Sequence, residues 1–173
     1  AVPFAGSSNT TFTTNTTAFP TSDVVVSKTA GFKLSLLANT TFASANQDLT
    51  ITSGTLDLDG FNLTVNGTTA KIVVNSGSNF QLMGSETVTA NVNEPTLDTG
   101  STVTYDGTAA SYTIKDFLNY KNLTIVGGAS TVFTMPANQS QVETLTITTG
   151  IFSLGGFVLT ATTLVNNDTL RML

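Results

Sequence analysis

Cysteine and histidine are both missing from this 173-residue chain, and their absence removes whole classes of chemistry. Without a thiol or an imidazole there is no disulfide framework, no Ser-His-Asp or Cys-His catalytic arrangement, and none of the common zinc sites. Charge is scarce as well: 10% of residues are charged, six basic against eleven acidic, for a net charge of −5, where an ordinary domain is roughly a quarter charged. Six cations spread along the chain leave no patch that could neutralise a run of phosphates, so nucleic acid is not an expected partner. No GxxxxGK[ST] or GxGxxG sequence occurs, nucleotide binding has no support, and no cofactor is expected. No apolar run approaches the roughly 18 residues that span a bilayer, and no leader of basic, apolar and small residues is present, so membrane insertion is not expected. The chain starts at Ala1, which reads as a processed, mature form.

What is abundant is threonine, about one residue in five, with serine, asparagine and glycine beside it. Neutral hydroxyls and amides must therefore cover most of the surface. That composition suits an extracellular or cell-surface protein better than a cytoplasmic enzyme. Hydrophobic residues make up 40%, enough for one domain with a sizeable core in a chain of this length.

The chain also repeats itself. LTITSGTLDLDGFNLTV (49–65) returns without a gap as LTITTGIFSLGGFVLTA (145–161), with ten of seventeen positions identical. Alternating apolar residues punctuated by glycine describe short strands joined by tight bends. Leu49/Ile51, Leu56/Leu58, Leu63/Val65, Leu145/Ile147, Phe152/Leu154 and Leu159 are the expected inward columns, with bends at Gly54, Gly60, Gly150 and Gly156. Self-similarity of this kind argues for stacked turns. Equivalent strand starts near Leu49, Ile72, Leu97, Leu123 and Leu145 give about 20–26 residues per turn, and about seven turns after residue 22. No long 3.6-residue period is present; Ser111 to Tyr120 is the only place that suits a short helical turn. The fold class read from the sequence is all-β, a parallel β-solenoid. The alternative is an antiparallel β-sandwich completed by a donor strand, because Asp59-Gly60, Asn66-Gly67 and Asp106-Gly107 are also hairpin signals.

The module GTLDLDGFNLTVNG, with GSTVTYDG and YKNLTIVGG, resembles repeats of secreted parallel β-helix surface proteins, including pectin-lyase-like and autotransporter-passenger-like domains. The resemblance covers about residues 49–163. It implies a right-handed solenoid and says little about activity.

Residues 1–22 read as a Ser/Thr/Asn-rich arm before a solenoid domain at 23–173. The arm is either a flexible leader or a segment that orders on a neighbouring subunit by strand addition, through Phe12, Phe19, Val24, Val25 and Val26. At the other end Leu164, Leu170, Met172 and Leu173 finish the chain apolar, and no cap is recognised at either end. The ends are then either stacking surfaces, frayed strands, or cuts in a longer solenoid.

Side chains able to do chemistry are few. Asp57 and Asp59 stand at i and i+2, on one face if the strand continues, and could serve glycoside hydrolysis; solvated turn-flanking aspartates are the plainer account. Asp57-Leu58-Asp59-Gly60 also opens like a calcium loop, but the position that needs glutamate holds Thr68. Lys28, Lys33, Lys71, Lys115 and Lys121 could form isopeptide bonds, although no spacing singles one out. Tyr105, Tyr112, Phe117 and Tyr120 are the only cluster that could make an aromatic platform for a sugar, or else a packing unit. Eight N-x-[ST] sequons, at Asn9, Asn15, Asn39, Asn62, Asn66, Asn122, Asn138 and Asn167, are acceptors for N-glycosylation in a host that performs it; roughly four are expected by chance. The reading is a non-enzymatic subunit of an extracellular filament or surface fibre, mechanical or adhesive, assembling head to tail with itself. The alternative is a carbohydrate-binding or polysaccharide-cleaving β-helix whose partners are cell-surface or matrix glycans.

Overall fold

The computed structural model describes residues 1–13, 21–90, 95–117 and 119–172. Among them there are strands and no helix. The chain winds through β1 (Val2–Gly6) and β2 (Thr10–Phe12); then β3 (Val24–Lys28), β4 (Lys33–Leu36) and β5 (Thr40–Phe42); then β6 (Leu49–Ser53), β7 (Thr55–Asp57) and β8 (Leu63–Val65). It continues through β9 (Ile72–Val74), β10 (Asn79–Leu82) and β11 (Val88–Ala90), then β12 (Thr96–Leu97), β13 (Thr102–Tyr105) and β14 (Ser111–Thr113). The last turns hold β15 (Asn122–Val126) and β16 (Val132–Thr134), β17 (Gln139–Thr149) and β18 (Ile151–Ser153), and β19 (Leu159–Asn166) and β20 (Thr169–Arg171).

Each strand pairs with its counterpart one turn away, and the ladders are parallel. Sheet A runs β1-β3-β6-β9-β12, sheet B runs β2-β4-β7-β10-β13-β15-β17-β19, sheet C runs β5-β8-β11, and sheet D runs β14-β16-β18-β20. Eight stacked strands in sheet B make a parallel β-solenoid of about seven turns. A hairpin sandwich would need antiparallel pairs. Asp59-Gly60, a hairpin signal in sequence, is instead a solenoid corner, with φ of 50° and 83°.

Alternation decides what goes inside. Val24, Val26, Leu49, Ile51, Ile72 and Val74 stack as buried columns in sheet A, and Leu34, Leu56, Phe80, Val103, Leu123 and Leu145 stack in sheet B. Leu58, Leu63, Val65, Ile147 and Phe152 are buried too, whereas Leu154 and Leu159 are half-buried.

The solenoid narrows along its length. Asp23 and Asp48 are bonded across a turn of 25 residues, Gly150 and Asp168 across one of 18. Sheets A and C end at β12 and β11, so three sides give way to sheets B and D. Beyond β12 the interior is filled by Ile114, Phe117 and Tyr120, all buried. Phe117 stacks on Phe80 at 6.2 Å. The expected helical turn at 111–120 is therefore replaced by β14 and this packed segment.

The seventeen-residue repeat does not mark one column, and this corrects the spacing read from sequence. Leu49 pairs with Ile72 in sheet A, while Leu145 pairs with Leu123 in sheet B; Leu97 pairs with Val74, not with Ile72. The repeat encodes a corner. β6 turns into β7 at Gly54 and β17 into β18 at Gly150, with φ of 70° and 94°. A Cβ at Gly54 would meet the Lys28 backbone carbonyl at 2.8 Å. The same bend thus serves the A–B corner early and the B–D corner late.

Candidate functional site: the two end turns and the outer ladders

Asparagine and aspartate hold the corners together. Asp23 Oδ1 accepts the Asp48 N–H, and Asp48 Oδ1 accepts the Lys71 N–H, at 3.1 and 2.9 Å. On another corner Asn39 Oδ1 accepts the Asn62 N–H at 2.8 Å, and Asn62 Oδ1 accepts that of Thr87 at 2.7 Å. Asn9 does the same for Lys33 and Asn138 for Val158. A corner leaves a backbone donor outside the strand ladder, and a short amide or carboxylate one turn below is the side chain that reaches it. Four of the eight sequons, at Asn9, Asn39, Asn62 and Asn138, therefore have a structural use. Asn9, Asn39, Asn66, Asn138 and Asn167 are exposed, Asn62 and Asn122 are half-buried, and Asn15 lies outside the described residues.

The outward face of sheet B carries a polar ladder, Ser35, Asp57, Gln81, Thr104, Thr124 and Thr146. Asp57 is 2% exposed and bonds Lys33 Nζ at 2.6 Å, the one ion pair among the described residues. That hydrogen bond, opposed by partial burial and helped by the charges of Asp57, Asp59 and Asp106, raises the Lys33 pKa. A lysine held as an ammonium is a poor nucleophile for an isopeptide bond. Lys28 Nζ donates to the Ala5 carbonyl and Lys115 Nζ to that of Gly84. Asp59 is not on the strand face with Asp57: β7 stops at Asp57, and Asp59 sits in the corner, giving its N–H to Asp57 Oδ1 at 3.0 Å. The paired carboxylates expected from the i, i+2 spacing are thus one turn's internal bracing. Among the described residues no group of three or more carboxylates is placed to hold a metal ion.

One buried and one half-buried carboxylate carry no signal in the sequence. Glu86, 1% exposed, accepts the N–H groups of Gly60, Met83 and Gly84. Asp106 accepts Gln81 Nε2 at 2.6 Å through Oδ2, while Oδ1 has no partner. Burial pushes the Asp106 pKa above its usual value, partly offset by the Gln81 bond. The folded chain therefore binds this proton more tightly than the unfolded chain does. Its stabilising contribution is present in full below the ordinary carboxylate value and is lost as pH rises through the raised one. Asp106→Asn keeps an acceptor for Gln81 and removes the titration. In urea melts the variant should be the more stable at pH 7, with the difference shrinking toward pH 4; parallel pH profiles for the two proteins would contradict this assignment.

The aromatic cluster is internal. Tyr105 and Tyr120 are fully buried with hydroxyls 2.7 Å apart, and Tyr120 donates to the Lys115 carbonyl while Tyr105 accepts the Lys115 N–H. Burial raises the Tyr105 pKa above its usual value. Tyr112 lies against Phe133 at 5.3 Å. These rings pack the narrowing half of the core. A shallow polar depression lined by Asn9, Thr10, Thr11, Lys33, Ser35 and Asp59 carries no aromatic ring.

The end turns differ from the rest. In the first, β1 pairs with β3 and β2 with β4, so residues 2–12 of the expected arm form the opening turn on their own chain. Phe4 and Phe12 meet edge to face at 5.0 Å over a small apolar hollow lined by Val24, Leu34 and Leu49. Val24, Val25 and Val26 belong to β3, and Phe19 lies outside the described residues. In the last turn, Leu164 continues the column of Leu123 and Leu145 but is 51% exposed, and Leu170 continues that of Phe133 and Phe152. Asn166 stands at the end of the Ile125–Ile147 column. Met172 is 74% exposed, and Leu173 lies outside the described residues. No described helix is long and apolar enough to cross a membrane. No protein-family model, curated protein or solved structure compared with the chain matches it, so the fold rests on its own ladders.

Proposed function

We propose that this chain is a non-catalytic structural subunit of an extracellular filament or surface fibre, built by end-to-end stacking of copies of the solenoid. The observation that carries the reading is the last turn: Leu164 and Leu170 hold inward column positions, yet Leu164 is 51% exposed and Leu170 is only partly buried. An apolar column continued through a second copy buries those side chains, and parallel backbone pairing satisfies the strand edges beside them. The opening turn, β1 and β2, is the part that adds to the neighbour. A surface of threonine, asparagine and serine ladders with few charges fits a protein whose work is mechanical or adhesive. Kinship with pectin-lyase-like and autotransporter-passenger-like solenoids belongs to this proposal through its corner module, as do export and glycans on the exposed sequons.

Negative-stain imaging and light scattering of the purified chain over a concentration series test the reading. Threads one solenoid wide that lengthen with concentration are expected. Monodisperse rods of about 33 Å, seven steps of roughly 4.8 Å, at every concentration would overturn it.

A further inference from the structure

The two end turns also fix how one copy can sit on the next. We infer that successive copies are turned by one face of the solenoid, so that β1 of the incoming copy lies on β19 and its β2 lies on β20. In these terms sheet A continues the previous copy's sheet B, and sheet B continues its sheet D. This rests on the filament reading above.

Corner shape is the first reason. The opening turn bends between Gly6, with a φ of 109°, and Thr10. Within the chain the β3–β4 bend stacks on the β6–β7 bend, ladder on ladder. β19 runs unbroken from Leu159 to Asn166 and offers none along its length, whereas the chain does bend at Asn167–Asp168, between β19 and β20. An unrotated joint, with β2 on β19, would lay the opening bend across that continuous strand.

The repeated module is the second reason. β3–β4 and β1–β2 stack in front of β6–β7, and β19–β20 stacks behind β17–β18. β6–β7 and β17–β18 share one sequence pattern and one glycine bend. In the rotated stack these copies of the module fall in a single column, with matching corners between them. Without rotation they fall on different faces, and the shared sequence has no shared place.

Backbone direction agrees. Val2 N–H bonds the Asp23 carbonyl and Gly6 carbonyl accepts the Thr29 N–H, so Pro3 and Ala5 turn their main-chain groups to the edge that no described strand pairs. Asn167 N–H bonds the Ile147 carbonyl and Arg171 carbonyl accepts the Leu154 N–H, so Leu164, Asn166 and Leu170 turn theirs to the other such edge. Matching the corners sets Val2 on Leu164, Pro3 beside Val165 and Thr10 on Leu170. Asn166 N–H then donates to the Pro3 carbonyl, and Ala5 N–H donates to the Asn166 carbonyl. Pro3 has no N–H for the Leu164 carbonyl, so the joint forgoes one ladder bond there.

The absence of native cysteine makes the test clean. Pro3 and Val165 point outward and are exposed, and neighbouring strands place paired Cα atoms about 5 Å apart, within disulfide range. In Pro3→Cys/Val165→Cys filaments, mild oxidation should give a ladder of covalent multimers on a denaturing gel. Thr11→Cys/Val165→Cys, which reports the unrotated joint, should stay monomeric on the same gel. Multimers from the second pair only, or from neither pair in visible filaments, would overturn the rotated register and leave the filament reading standing. Failure of the unmodified chain to form filaments would overturn both.

Discussion

Phe80→Ala should lower the free energy of unfolding by about 3–5 kcal/mol, the usual cost of emptying a phenylalanine site in a core that cannot collapse around it. Phe80 is fully buried at the middle of sheet B, between Leu56 and Val103 in the column, and carries the stack with Phe117. Its neighbours are fixed by backbone ladders on both sides, so they have little freedom to close the cavity. The position also joins the wide, three-sided part of the solenoid to the narrow part. In a stack where each turn touches only its neighbours, losing one interface uncouples the two sides of it. Urea unfolding should then start earlier and become broader, and limited proteolysis should cut within residues 75–120. A loss of under about 1 kcal/mol with an unchanged transition would show that this turn does not couple the halves as described.

Leu164→Asp is expected to abolish thread growth while leaving the isolated subunit folded. Leu164 is half-exposed in the last turn, so its replacement costs the single subunit little, of the order of 0.5–1 kcal/mol. In a joint, the new carboxylate would be carried into an apolar column with no cation opposite it: Val2 or Thr10 of the incoming copy faces it in the rotated or unrotated register. Burying an unpaired charge costs several kcal/mol, enough to shift assembly by three or more orders of magnitude in concentration. Light scattering should show no growth, with a melting curve close to that of the unmodified chain. Threads of normal length from Leu164→Asp would mean that the last turn is not the growing surface.

The fold was legible because its signal is local and repeated. Alternation at Leu49–Ile51 and Leu56–Leu58, with glycine at 54 and 60, states strand and corner within a dozen residues, and each corner glycine has the positive φ that such bends need. Column membership was not legible, because the same sequence can turn from sheet A to sheet B or from B to D. Leu145 looks like Leu49 and sits one face away from it. Asp59 illustrates the limit from another side. Spacing put it on a strand face with Asp57, but β7 ends at Asp57, two residues before Asp59, and the chain enters αL at Asp59. The corner brackets were hidden for a further reason: Asn39 and Asn62 read as sequons because Asn-x-Thr is what a bracket followed by a threonine-rich strand spells. Glu86 could not be found by spacing: Met83 and Gly84 are its near neighbours in sequence, but Gly60 reaches it only when one turn stacks on the next.

The shortening of the turns from 25 residues to 18 gives the rod a thick end and a thin one. Threaded end to end, such units make a cord whose girth rises and falls once per subunit and whose two directions differ. Each joint then carries a step where the thin end meets the thick one. Averaged images should show that beading at the subunit repeat, with every taper pointing the same way.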